Sequence, residues 1–408
     1  MYRKRSRGYL LQLNAVHLGT NYLWISFESL ILPIQLERVT GNDSTSLLLG
    51  IIAFIGISVG VVVSLFFGVL SDSRSILWGK RGPYIIIGSV AASISIAVDI
   101  LLQNYIYGIL LGYIFVQTGT NVSSAAYQPL FRDLVPEDQR GLASGINGIY
   151  TLLGNALGLG LSGYLMSLKM DTPALGIMGV TLLITSVITT HTIRHEDTPV
   201  HVPGTSLFGT FLEIFNPGRK SEGFFWLVGS AFLVFLGVTG LSFFELYYFE
   251  EVLKSANPAE LVAVSGVFVL LFSAIGTAIF GFLSDRYGRW RMLLAAAVMG
   301  GTATALIPFF PKFDIFVILG IFIATAYGIY FSVSKALASD LSPREDAGKY
   351  MAYFNIGIGG SSAFSPLFYG IILDYFGTSY RTGFTYLFEI AASFYFFSLI
   401  FLALVPRK

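Results

Sequence analysis

Four residues near the N-terminus, His17, Asn21, Trp24 and Glu28, follow one another at spacings of four, three and four. On a helix that spacing lines one face, here with an imidazole, an amide, an indole N–H and a carboxylate. Asn14 and Gln35 extend the stripe at its two ends. A second stripe, Gln117, Asn121, Ser124 and Gln128, repeats the spacing, and a third carries Asn147, Thr151 and Asn155. Aligned polar stripes of this kind suit a hydrated path through an apolar medium; the competing reading is hydrogen bonding between neighbouring helices. A carboxylate in a low-dielectric cavity can take up and release a proton in the neutral range. Glu28 is the first candidate for that chemistry, Glu245 (after Ser242-Phe243-Phe244) the second, and His17 the third. Asp99 and Glu389 lie nearer helix ends, where snorkelling to the interface would suffice. With no cysteine the chain has no thiolate chemistry and no cysteine metal site. His191, His195 and His201 with Glu196 and Asp197 read as a solvated loop, so neither a metal ion nor an enzyme constellation is expected.

The elements that must carry these stripes are membrane helices. Hydrophobic residues make up 54% of the 408-residue chain and charged residues 12%, about half the charged share of a soluble domain. A bilayer core takes about 20 apolar residues per helix. About twelve such runs lie near 10–36, 47–70, 84–103, 106–130, 142–167, 173–191, 224–250, 260–284, 291–310, 314–337, 350–373 and 384–405. Of the 25 Lys and Arg, a cytoplasmic N-terminus leaves only Arg38, Lys169, Lys254, Lys312 and Arg381 outside. This positive-inside bias puts both termini in the cytoplasm. The net charge of +1 is therefore a sorted distribution across a bilayer, not a nucleic-acid surface. The basic N-terminus has the outline of a signal peptide, but the length of the following run and its polar stripe make it the first transmembrane helix.

The chain also repeats itself. Gly68-Val69-Leu70-Ser71-Asp72 returns as Gly281-Phe282-Leu283-Ser284-Asp285, each followed by a basic cluster. Asp133-Leu134-Val135-Pro136, followed by Gly141, returns as Asp340-Leu341-Ser342-Pro343, followed by Gly348. These matches divide the chain into six-helix halves, 1–191 and 223–408, joined by a polar linker at 192–222. Leu207, Phe208, Phe211, Leu212 and Phe215 recur in the linker at the spacing of an amphipathic helix on the membrane face. A carboxylate at a helix end facing arginines across a short loop can hold two helices together by charge-assisted bonds. Asp72 with Arg132, and Asp285 with Arg286 or Arg289, are the expected latches of a cytoplasmic gate that also includes Lys80, Arg81, Asp133, Arg140 and Asp340. For the basic residues, plain obedience to the positive-inside rule is an equal alternative.

The second copy, Gly281 to Arg291, resembles the signature G-x-x-x-D-R-x-G-R of the major facilitator superfamily, with Asp285, Arg286, Gly288 and Arg289 in place. The first copy is stretched: six residues separate Asp72 from Gly79, and Gly79-Lys80-Arg81-Gly82-Pro83-Tyr84 follows. That form resembles the glycoside–pentoside–hexuronide/cation symporters and the related sucrose transporters. So does Tyr127 to Gly141 at the exit of the fourth helix, and Trp24, Ser29, Leu30 and Pro33 fit the sucrose-transporter spacing W-x4-S-L-x-x-P. The resemblance implies an all-α fold of twelve transmembrane helices working by alternating access. It also implies a sugar or glycoside as cargo, a proton as coupling ion, no other cofactor, and a monomer in the cell membrane. Sugar-contact candidates are Asn21, Trp24, Gln117, Asn121, Tyr127, Gln128, Asn147, Tyr248, Tyr330, Tyr353 and Asn355. The chain departs from these relatives at three places. They carry an acid where Gln117 stands and an arginine where Gln128 stands, and Glu28 is one position off their helix 1 Gln or Glu. The sodium-binding acids of melibiose-type relatives have no counterpart inside helices 2 and 4, which disfavours sodium. The alternatives are an exporter or uniporter of another small metabolite or drug, and, in a different class, a non-transporting membrane sensor.

Overall fold

The structure is a computed structural model and describes residues 4–41, 45–73, 76, 79–195, 223–343, 347–377 and 380–406. The amphipathic segment expected at 207–215 lies outside the described residues. Among the described residues the chain is helical almost throughout, with a single isolated bridge between Ile76 and Gly79. It sorts into two compact units, one of Met1–Val39 with Ile55–Phe215 and one of Thr40–Phe54 with Asn216–Lys408.

The first unit begins with α1 (Arg7–Asn14), α2 (Val16–Ser26) and α3 (Leu32–Thr40), the last two joined by a π turn at Phe27–Ile31. There follow α4 (Thr45–Ser73), whose first ten residues belong to the second unit, α5 (Gly82–Leu102), α6 (Ile106–Tyr127) and the short α7 (Leu130–Leu134). Then α8 (Arg140–Leu157) runs through a π turn at Gly158–Ser162 into α9 (Gly163–Ser167), and α10 (Asp171–Ile193) closes the unit. The second unit holds α11 (Phe224–Val238), α12 (Leu241–Tyr247), a π turn at Tyr248–Val252, α13 (Pro258–Ile275), a π turn at Gly276–Phe280 and α14 (Gly281–Tyr287). It ends with α15 (Arg289–Leu306), α16 (Phe313–Leu341), α17 (Ala347–Phe376) and α18 (Tyr380–Ala403). Pro83 and Pro258 stand in the first turns of α5 and α13, where a missing N–H costs nothing.

Ten helices of the described chain are long and apolar enough to cross a membrane. The stretches outside that set, Arg7–Thr40 and Ile106–Tyr127, are the ones bearing the first two polar stripes, which lower their hydropathy without shortening them. Large apolar side chains such as Ile94, Phe115, Ile184, Phe282 and Ile400 are exposed, as a lipid-facing surface requires. The protein is a multi-pass membrane protein.

The packing order repeats between the units. In the first, α2 packs on α8 and α10, and α5 packs on α6 and α10. In the second, α11 packs on α17 and α18, and α15 packs on α16 and α18. Thus the first helix of each half meets the fifth and sixth, and the third meets the fourth and sixth. Two breaks are capped by side chains from a neighbour. At Ala15, Thr189 Oγ1 of α10 accepts from Val16 N (3.0 Å) and lies within bonding distance of the carbonyls of Gln12 and Leu13. At Thr239–Gly240, Ser365 Oγ of α17 accepts from Gly240 N (2.8 Å) and donates to Leu236 O (2.6 Å). Tyr369 Oη lies 3.1 Å from Leu236 O and 3.0 Å from Gly237 O at the same break. These side chains satisfy backbone groups that a helix end leaves open.

Candidate functional site

Glu28 lies in the π turn between α2 and α3, the kind of one-residue helical insertion that often marks functional sites. Its Oε1 accepts from Tyr113 Oη (2.9 Å) and from Gln117 Nε2 (3.0 Å), both on α6. Gln117 Nε2 also lies 2.8 Å from Tyr113 Oη, and Gln117 Oε1 accepts from Asn121 Nδ2 (3.1 Å). Tyr113, Gln117 and Asn121 are one helical turn apart, so α6 presents a ladder of three polar groups ending on one carboxylate. Phe27 stacks on the Tyr113 ring at 5.7 Å between centroids. Helix α4 covers the ladder through glycines: a β-carbon at Gly60 would lie 2.6 Å from Asn121 Nδ2, and one at Gly56 would enter the Tyr113 ring. Tyr113 was missed at the level of sequence, although it extends the Gln117–Asn121 stripe by one turn.

Further along the same face, Asn21 Nδ2 donates to His17 O (2.7 Å) and reaches Thr151 Oγ1 of α8 at 3.5 Å; Thr151 in turn lies 3.4 Å from Asn147 Oδ1. The His17 ring meets the Tyr127 ring edge-on at 4.6 Å, and Tyr127 Oη donates to Asn14 Oδ1 (2.9 Å). His17 Nε2 and Trp24 Nε1 are buried and have no partner among the described residues. The first unit therefore gathers His17, Asn21, Trp24, Glu28, Gln117, Asn121, Tyr127 and Asn147 onto α2 with the π turn after it, α6 and α8, with two ring nitrogens unspent. Gln128 stands apart, exposed at the end of α6.

In the second unit Glu245, half-buried on α12, accepts from Ser265 Oγ of α13 (2.5 Å). The tyrosine candidates there are not gathered around it. Tyr248 is enclosed by Phe249, Phe316, Phe384 and Phe388. Tyr330 is at 0% exposure in the unit's core, its hydroxyl 2.6 Å from Ser230 Oγ. Tyr353 packs beside Tyr350 and Phe225, and Asn355 is exposed. Asp99 corrects the expectation of an interfacial acid: it is fully buried and accepts from Gln35 Nε2 (2.7 Å).

The sequence pattern of the Major Facilitator Superfamily matches residues 17–271 and 227–408. The chain belongs to the major facilitator superfamily. Among characterised members, this major facilitator protein is 38% identical over 78 residues to the shikimate transporter of Escherichia coli (strain K12), covering 19% of this chain and 18% of that one. It is 27% identical over 178 residues to the sucrose transport protein SUC4 of Arabidopsis thaliana, covering 40% of this chain and 34% of the relative. The matches thus span about a fifth and a third of those relatives' lengths. Among solved structures, the nucleoside transporter NupG superposes with a TM-score of 0.74 at 14% identity, covering 98% of this chain and 100% of that one. A bacterial homologue of the human lysosomal transporter Spinster, in an inward-facing conformation, gives 0.71 at 16% identity, covering 98% and 97%. The fold is shared with these solved structures.

The repeated motifs of this major facilitator protein build two matching ion-pair clusters. In the first unit Arg81, at 1% exposure, bonds Ser71 Oγ (2.8 Å) and Asp133 (3.3 Å). In the second, Arg289 bonds Asp340, Asp285 Oδ1 (3.1 Å) and Ala336 O (2.8 Å). Gly288 makes this possible: its φ of 93° lies in the left-handed region open to glycine, ends α14 and starts α15 at Arg289. Of the two arginines expected to meet Asp285, Arg289 does so and Arg286 does not; Arg286 is exposed, its guanidinium 5.8 Å from the centroid of the neighbouring Tyr287 ring. The side chains of the other expected pair, Asp72 and Arg132, lie outside the described residues. Lys80 and Arg140 are half-buried beside the first cluster's loops.

Proposed function

We propose that this transporter moves a sugar or glycoside across the cell membrane together with a proton, by alternating access of the halves 1–191 and 223–408, with Glu28 carrying the proton. The observation that carries the reading is the Glu28–Tyr113–Gln117–Asn121 network. The sugar-transporting relatives that the sequence resembles have an acid at the position of Gln117. Here the amide is on α6 and the acid on helix 1, and the two touch, so the chemistry is kept with the partners exchanged. A π turn lodges one extra residue in the helix, and Glu28 sits inside one; this fits its one-residue offset from those relatives. The two unspent ring nitrogens, of His17 and Trp24, are available to hydroxyl groups on the same face, and the Trp24 ring offers an apolar face to sugar C–H groups. Sucrose and shikimate, the cargoes named for the two characterised relatives, and nucleosides, named for a structural neighbour, are all ring compounds bearing several hydroxyls.

The test is uptake into proteoliposomes from a panel of sugars, shikimate and nucleosides, with and without an imposed pH gradient. The expected outcome is accumulation of a sugar driven by the gradient. In Glu28→Gln, solute exchange at equal concentration persists and gradient-driven accumulation is lost. Movement of shikimate or nucleosides alone would replace the cargo class. Undiminished proton-driven accumulation in Glu28→Gln would remove Glu28 from the coupling role.

A further inference from the structure

Asp99 is the one Asp or Glu that is fully buried among the described residues. Its Oδ2 accepts from Gln35 Nε2 at 2.7 Å, across 64 residues of sequence and from α3 to α5. The remaining two oxygens of the pair, Asp99 Oδ1 and Gln35 Oε1, are both buried and both without a partner. Behind Oδ1 stands Gly112 of α6, where a β-carbon would lie 2.9 Å away, so that helix brings bare backbone and no donor.

Two of the groups on the packed elements are committed elsewhere. Arg38 of α3 bonds Asp171 of α10, and Tyr113 of α6 gives its hydroxyl to Glu28. Glu37, half-buried on α3, has the same sign as an ionised Asp99. No cation bonds the Asp99 carboxyl among the described residues.

An ionised carboxylate is acceptor-only. In that form the pair buries two acceptor oxygens with no hydrogen between them, together with an unpaired charge inside a membrane helix, where such charges are costly. One proton resolves all three: an O–H on Oδ1 supplies the donor that Gln35 Oε1 lacks, and the acid and amide close into a ring of two hydrogen bonds. We propose that Asp99 and Gln35 form a proton-binding site, in which the carboxyl carries a proton on Oδ1 and donates it to Gln35 Oε1, tying α3 to α5 at their predicted outer ends. The site is separate from Glu28 and independent of what the transporter carries.

Infrared spectroscopy of the protein in lipid at neutral pH, with its aspartates 13C-labelled at the side-chain carboxyl, tests this. The expected result is a neutral-acid carbonyl band that shifts with the label, disappears in Asp99→Asn, and moves toward the position of an unbonded acid in Gln35→Leu. Aspartate label confined to ionised-carboxylate bands would overturn the proposal, as would an acid band that survives Asp99→Asn or stays in place in Gln35→Leu. Should either variant fail to fold, the labelled wild-type protein still decides whether a buried aspartate is protonated.

Discussion

Arg81 and Arg289 hold matching places in the repeat, each bonded to the aspartate that closes the fourth helix of its half, Asp133 or Asp340. Their surroundings differ. The Arg81 side chain is 2% exposed and also meets Ser71, whereas that of Arg289 is 25% exposed and its carboxylate partners more than half exposed. Removing one member of a buried pair leaves an uncompensated group and costs about 3–5 kcal/mol; exposed pairs are worth about 0–1 kcal/mol. Asp133 is itself partly exposed, which places the first case toward the low end of its range. Arg81→Gln is therefore expected to lower the melting temperature in detergent clearly, and Arg289→Gln to change it little. Equal losses in the two variants would mean that burial does not govern these clusters. The same scale shows what the sequence could and could not reveal. The motif residues Ser71, Asp285, Asp340 and Arg289 were legible because both copies carry them. That Arg81 bonds Asp133 was not, since a loop rich in basic residues has no periodicity to order them.

At the scale of helices, the polar stripes were readable because a spacing of three and four survives in any straight helix. The interruptions were not. A π turn adds a residue without changing composition, so nothing in Phe27–Ile31 or Tyr248–Val252 announces one. The pairing of Asp99 with Gln35 was hidden for a different reason: Asp99 looks like an interfacial acid and Gln35 like the end of a polar stripe, and only packing brings them together. The break at Thr239–Gly240 is likewise set by a distant helix. Ser365 and Tyr369 of α17 hold the carbonyls of Leu236 and Gly237 and the amide of Gly240, and α12, which begins after the break, carries Glu245. A buried backbone group stripped of its partner costs about 1–3 kcal/mol. Ser365→Ala with Tyr369→Phe is expected to lower the melting temperature more than either change alone, and to weaken transport, since Glu245 is positioned by this segment. If the double variant melts like wild type, water caps the break equally well and the two side chains are not its support.

For the whole molecule, the duplication legible in two short motifs reappears as a duplicated packing order, with first helix on fifth and sixth and third on fourth and sixth in each half. Orientation rests on a different argument, the charge count, in which Arg38, Lys169, Lys254, Lys312 and Arg381 are the basic residues assigned outside. Two of these, Lys169 and Lys254, have φ of 58° and 54° in short turns, one between α9 and α10 and the other just before α13, where a single side chain can be changed without disturbing a helix interior. The absence of cysteine makes the protein its own clean background for labelling. Lys169→Cys and Lys254→Cys in intact cells are expected to react with a membrane-impermeant thiol reagent. Arg194→Cys, after α10, and Tyr287→Cys, exposed at the end of α14, are expected to react only after the membrane is opened. The positive-inside rule works through the cost of moving Lys and Arg across the bilayer during insertion, so all four positions must report one consistent orientation. Labelling of Cys at 194 or 287 from outside would invert the topology, and with it the assignment of the Arg81 and Arg289 clusters to the cytoplasmic end.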